Sequence, residues 1–170
     1  MRKRAVVTGA TSGIGQATAI KLAENGYDLV ITGRRAERLS ELEEKLRKIG
    51  ADVLSLCFDV RSFEQVKDNL GNLSGKWSDI DVLVNNAGGA LGKEPIQDGS
   101  IEDWDTMIDT NVKGLLYVTK TLLPKMCQNH KGHVVNLCSI AGKQVYGEGN
   151  VYCASKHAVD AISKGIRIDA

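Results

Sequence analysis

Tyr152 and Lys156 stand four residues apart in the stretch VYCASKHAVDAISK (151–164), with no helix breaker between them. On a helix that spacing sets both side chains on one face. A phenol titrates near ~10 and exchanges protons poorly at neutral pH. A fixed ammonium one turn away favours the phenolate. Bringing a phenol down to ~7 takes about 4 kcal/mol of differential stabilisation. A tyrosine tuned in this way can pass a proton to and from a carbonyl or alcohol oxygen. The same spacing also arises as a plain surface pair, so the rest of the chain has to decide.

Four other clusters bear on it. TGATSGIG (8–15) follows a short apolar run and opens a helical pattern. A glycine turn there lets a pyrophosphate approach the backbone, and a helix N-terminus supplies free N–H groups. Gly9, Thr11, Ser12, Gly13, Ile14 and Gly15 are the candidate contacts. Their spacing, G-x-x-x-G-x-G, is not the usual G-x-G-x-x-G, and a glycine turn can also be purely structural. Next, Arg34 and Arg35 end the second strand pattern, with no carboxylate between Asp28 and Glu37. Two guanidiniums suit the 2′-phosphate of NADP, whereas an acid there would suit the ribose hydroxyl of NAD. NADP is therefore preferred over NAD. The third cluster, Asp59-Val60, offers a carboxylate for the adenine amine or a cap for the next helix. In the last, Asn85-Asn86-Ala87-Gly88, small residues at a strand end leave room for ribose and nicotinamide, though the run also reads as a turn.

The elements that must position these residues alternate strand with helix. Strands are expected at 5–7, 29–32, 53–58, 82–85 and 134–137. Helices are expected at 14–25, 36–49, 63–70, 104–127 and from 151 onward, with Pro124 kinking or ending the fourth. Loops are expected at 71–78, 91–100 and 139–150. Short strands apolar on both faces mark a parallel sheet covered on both sides. With no internal repeat or linker, one α/β domain over residues 1–170 is expected.

The chain has 170 residues, 42% hydrophobic and 25% charged, with a net charge of +1. That balance suits a globular protein and gives no reason to expect a nucleic-acid or membrane partner. The four cysteines lack C-x-x-C spacing and sit in apolar or helical settings, so buried free thiols and a reducing, cytoplasmic setting are expected. MRKRAVV carries charge, but no apolar core of a signal peptide follows. His130, His133 and His157 have no ligand spacing, and no metal is expected.

With TGATSGIG, Asp59-Val60, NNAG (85–88), Asn111, Ser139 and Tyr152-x-x-x-Lys156 in this order, the chain resembles the short-chain dehydrogenase/reductase family of NAD(P)-dependent oxidoreductases. The runs 91–114 and 149–156 are similar to the NADP-dependent 3-hydroxy acid dehydrogenases, which include serine and allo-threonine dehydrogenases that also reduce malonic semialdehyde. The resemblance implies a Rossmann-type doubly wound parallel sheet of order 3-2-1-4-5. It implies a catalytic tetrad. Tyr152 is the general acid/base, and Lys156 tunes it and binds ribose hydroxyls. Ser139 bonds the substrate oxygen beside Tyr152. Asn111 holds a water that relays protons to Lys156. It also implies a homo-oligomer, commonly a tetramer, built through the fourth and last helices.

Two residues are open to a simpler reading: Asn111 as an exposed helix residue and Ser139 as a strand-end turn. The family continues beyond the last helix into further strands and a substrate loop, whereas this sequence ends at Ala170. From that the expectation is a C-terminally incomplete domain that binds cofactor weakly and turns over poorly. The competing expectations are a nucleotide-binding fragment without catalysis, and a reductase of a larger substrate such as a steroid or 3-oxoacyl thioester.

Overall fold

The computed structural model describes residues 2–170. In chain order it runs β1 (Lys3–Val7), α1 (Gly13–Glu24), β2 (Tyr27–Gly33), α2 (Ala36–Lys48), β3 (Val53–Cys57), α3 (Phe63–Leu70), β4 (Val82–Asn85) and α4 (Ile101–Ile108). It ends with a π-helical segment (Asp109–Gly114), α5 (Leu115–Gln128), β5 (His133–Asn136) and α6 (Asn150–Asp169). All pairings are parallel, in the order β3-β2-β1-β4-β5, as expected.

Side chains of a strand alternate between sheet faces, and the core divides accordingly. Val7, Leu29, Ile31 and Val84 face α1 and α2, meeting Ala19, Ala23, Leu39, Leu42 and Leu46. Val6, Val30 and Leu83 face the other way, onto Val66 and Leu70 of α3 and Val118, Leu122 and Met126 of α5. Val6 pairs with both Val30 and Leu83, so the register places like with like. Each fully buried Leu or Val contributes about 1.5–3 kcal/mol. Leu39, Leu42 and Leu46 recur at spacings of three and four, so α2 buries one stripe. Gly26 and Gly50, at φ +82° and +95°, end α1 and α2. Ser62 and Ser100 cap α3 and α4 by accepting from the backbone N–H of Gln65 and Asp103.

Three local expectations are corrected. The helix expected at 104–127 is α4, a π segment and α5, beginning at Ile101 and ending at Gln128. Pro124 neither ends it nor stops its last turn. Pro124 and Lys120 both face solvent, so water can take the carbonyl that proline leaves unpaired, while Leu122 and Met126 keep that stretch packed. The loops at 71–78 and 139–150 each contain a 3₁₀ turn, Gly75–Ser78 and Ile140–Gly142. Of the cysteines only Cys153 is buried; Cys57, Cys127 and Cys138 are exposed. Cys57 and Cys138 lie at the ends of the two edge strands, and Cys127 on the solvent side of α5, where fewer neighbours cover them.

Candidate active site

The strands end on one side of the sheet, where a cleft of about 540 Å³ opens at the crevice between β1 and β4. Ligands of open α/β sheets bind at such a switch point. Gly9, Thr11, Ser12, Gly13 and Ile14 line its floor, Arg34, Arg35, Asp59 and Val60 one end, and Asn86, Ala87, Gly88, Tyr152 and Lys156 the other. These residues span most of the chain, and the parallel topology alone brings them together.

The glycine turn is shaped by close approach. At Gly9, φ +63°, a Cβ would stand 2.8 Å from Ala87 Cα. At Gly15 a Cβ would meet the Asn86 amide and lie 2.5 Å from the Gly9 carbonyl. Gly15 is therefore a packing residue behind the turn, not part of the cleft wall. Asn86 donates to the carbonyls of Thr8 (2.9 Å) and Gly9 (3.0 Å). Thr8 Oγ1 accepts from the backbone N–H of Asn86 (3.1 Å) and Ala87 (3.0 Å). Thr8 thus staples the ends of β1 and β4. It heads the glycine motif but was not singled out from sequence, because a strand-end threonine carries no signal of its own.

The start of α1 is suited to an anion. Ser12 makes no side-chain cap, and the first turn carries no acid. Gly13 lines the cleft with open space where a Cβ would stand. The free amides and helix dipole then face a space that a phosphate fits. Arg35 donates to Thr11 Oγ1 (2.6 Å) and Ser12 Oγ (2.9 Å), fastening the first turn to β2's end. Arg34 is mostly exposed and lies 3.7 Å from the Asp59 carboxylate. Asp59 does not cap α3, since Ser62 does that. Burial raises the Asp59 pKa, but the hydrogen bonds from Arg61 outweigh this and hold it below the usual range. The cradle, the uncapped amides and the two guanidiniums fit a dinucleotide carrying a 2′-phosphate.

At the other end Lys156 is buried. Its ammonium donates to the Leu137 carbonyl (2.8 Å) and lies 5.9 Å from the centre of the Tyr152 ring. Burial, by disfavouring the charged form, lowers its pKa. Asn111 is almost fully buried in the π segment, not an exposed helix residue. Its amide donates to Gly89 O (2.8 Å) and Ser155 Oγ (3.0 Å), and its oxygen accepts from Gly89 N (2.9 Å). Ser155, fully buried, donates in turn to the Tyr152 carbonyl (2.7 Å). Asn111 therefore ties the strand after β4 to the first turns of α6. Ser139 does form the strand-end turn: its hydroxyl oxygen accepts from Ala141 N (3.1 Å), which leaves its O–H free to donate. Neither Asn111 nor Ser139 lines the large cleft, whereas Leu137 and Cys138 do.

A smaller cleft of about 290 Å³ shares Tyr152 with the large one. It lies between residues 90–94, Trp104 and Met107 of α4, and residues 146–150. No group of three or more potential metal ligands occurs among the described residues. No helix among them is long and apolar enough to cross a membrane.

The family model described as short chain dehydrogenase matches residues 3–170. The NADP-dependent 3-hydroxy acid dehydrogenase of Salmonella typhi is 48% identical over 164 residues, 96% of this chain and 65% of that protein. The serine 3-dehydrogenase of Rhizobium radiobacter is 45% identical over 164 residues, again 96% of this chain and 64% of that protein. The chain thus spans about two thirds of the length of these curated relatives. Among solved structures, the closed form of a serine dehydrogenase complexed with NADP+ superposes with a TM-score of 0.91 at 44% identity, covering 98% of this chain and 66% of that one. On the matched motifs, the sheet order and these likenesses, the chain belongs to the short chain dehydrogenase family.

Proposed function

We propose that this chain is a single nucleotide-binding domain that holds NADP(H) and interconverts a small 3-hydroxy acid with its carbonyl form. Serine, allo-threonine and 3-hydroxypropionate with malonic semialdehyde are the substrates of choice. The observation that carries this is one cleft whose wall joins the uncapped start of α1 and Arg34–Arg35 to Tyr152 and Lys156. The likeness to relatives named for NADP-dependent 3-hydroxy acid and serine oxidation supports the same reading.

When bound, the nicotinamide cofactor donates or accepts the hydride at carbon. The chain's residues do the rest. The amides of α1 hold the pyrophosphate, and Arg34 and Arg35 hold the 2′-phosphate bidentately. In the reducing direction Tyr152 gives its phenolic proton to the carbonyl oxygen as the carbon gains hydride; in the oxidising direction it takes that proton back. The buried Lys156 ammonium presents its charge beside the tyrosine and binds ribose hydroxyls. The free O–H of Ser139 donates to the reacting oxygen and stabilises charge developing there. Asn111, through Gly89 and Ser155, keeps α6 in place under the cleft. The smaller cleft beside Tyr152 fits a substrate of a few carbon atoms better than a steroid or acyl thioester.

The test is NADPH consumption with malonic semialdehyde, and NADP+ reduction with L-serine, followed at the nicotinamide absorbance band. Turnover with these and none with a steroid is the expected result. Tight NADPH binding without turnover would leave a nucleotide-binding module, and absence of both would overturn the reading.

A further inference from the structure

At the cofactor end of the cleft, one carboxylate stands between two guanidiniums. Asp59 Oδ2 accepts from Arg61 Nε (2.9 Å) and Nη2 (2.8 Å), and Oδ1 accepts from the Arg61 backbone N–H (3.0 Å). Arg34 Nη1 lies 3.7 Å from the same Oδ2, too far for a hydrogen bond. Asp59 is the only carboxylate within 4.0 Å of Arg34 among the described residues. The turn is held from both sides: Asp59 N donates to Gln65 Oε1 (3.0 Å), and Ser62 N to the Asp59 carbonyl (3.1 Å). Arg34 and Asp59 line the cleft; Arg61 does not.

A guanidinium just before the first turn of α3 opposes that helix's dipole, so helix stability does not account for Arg61. Its effect on Asp59 does. An unneutralised carboxylate here would draw Arg34 onto itself and repel the charge of about −2 on a phosphate. We propose that Arg61 is a specificity-determining residue acting through Asp59: by occupying that carboxylate it leaves Arg34 free for the cofactor's 2′-phosphate. This rests on the reading of the cleft as an NADP(H) site. With Arg61 in place, Asp59 stays near the adenosine end while the local charge remains positive.

The experiment is calorimetric binding of NADPH, NADH and adenosine 2′,5′-bisphosphate to the purified chain and three variants, with folding checked by circular dichroism. R61A should weaken NADPH and the bisphosphate about fivefold, the upper range for one exposed charge pair, and leave NADH within about twofold. Adding D59N to R61A should return both 2′-phosphate ligands to within about twofold of the parent. D59N alone, which keeps the fold even if R61A does not, should bind the bisphosphate at least as tightly as the parent. Equal losses for NADPH and NADH, no loss at all in R61A, or failure of D59N to recover the R61A loss would each overturn the role of Arg61. A parent chain that binds NADH as well as NADPH would instead overturn the cofactor reading, and this inference with it.

Discussion

At the scale of single residues the site divides labour between groups that can react and groups that hold. Tyr152 is the proton carrier in the proposed reaction, so Tyr152→Phe should lower turnover about 10²- to 10⁴-fold while NADPH binding is kept. Steady-state rates beside calorimetric binding check this, and retained turnover would remove Tyr152 from the chemistry. Arg34 and Arg35 differ in geometry. Arg35 is already bonded to Thr11 and Ser12, whereas Arg34 is mostly exposed beside Asp59. Replacing both by Ala should weaken NADPH about ten- to hundredfold, as expected for lost charge-assisted bonds, and NADH far less. Equal losses for the two cofactors would refute a 2′-phosphate role. Asn111 was legible as a candidate because asparagine is a poor helix former in a helix interior. Its bonds to Gly89 and Ser155 were not legible, because they join residues far apart in the chain.

At the scale of elements, the π segment shows how local geometry serves the site. One wider turn, common at functional positions, separates α4 from α5 and carries the inward-facing Asn111. Gly114 at its end lets Val60 pack closely; a Cβ there would stand 2.8 Å from Val60 Cγ2. No hydrophobic pattern distinguishes a π turn from an α turn within one long apolar stretch, which is why the sequence predicts an unbroken helix. Pro124 is the complementary case. Because it lies inside α5 on the exposed side, Pro124→Ala restores one backbone donor without filling or emptying core. The gain offsets the unfolded-state entropy that proline removes, for a net stabilisation of about 1–2 kcal/mol. Thermal unfolding measures it, and a lower Tm would mean that the proline is accommodated without loss.

At the scale of the whole molecule, several carboxylates ionise more readily in the folded state than in water. Asp160 is held at about 2 by hydrogen bonds from Lys143 and then Lys164. For Asp81 burial works against ionisation, but the hydrogen bond from Lys131 and the Arg4 backbone N–H overcome it. Asp59 follows the same pattern with Arg61. An acid whose pKa is depressed by folding stabilises the protein above its unfolded value near ~4, and that contribution disappears as pH falls through the folded value. Tm should therefore be flat from neutral pH to about 5 and fall between about pH 4 and 2. A scan showing no acid loss would mean that these pairs are as strong in the unfolded chain. Asp81 and Asp160 lie on different elements, so their losses should add.

Alternation of short apolar strands with amphipathic helices determined the parallel, doubly wound sheet, because periodicity is written locally in each segment. The motif residues Gly9, Gly13, Asn86, Tyr152 and Lys156 were likewise readable from type and spacing. Only the tertiary structure decided which of them share a wall. It set Gly15 behind the turn, turned Asn111 inward, made Ser139 a turn cap, and opened Cys138 to the cleft. It also placed Arg61 on Asp59, beside Arg34 from another strand's end. These are contacts between segments remote in the chain, fixed by how helices and strands pack, and no local pattern of residue types encodes them.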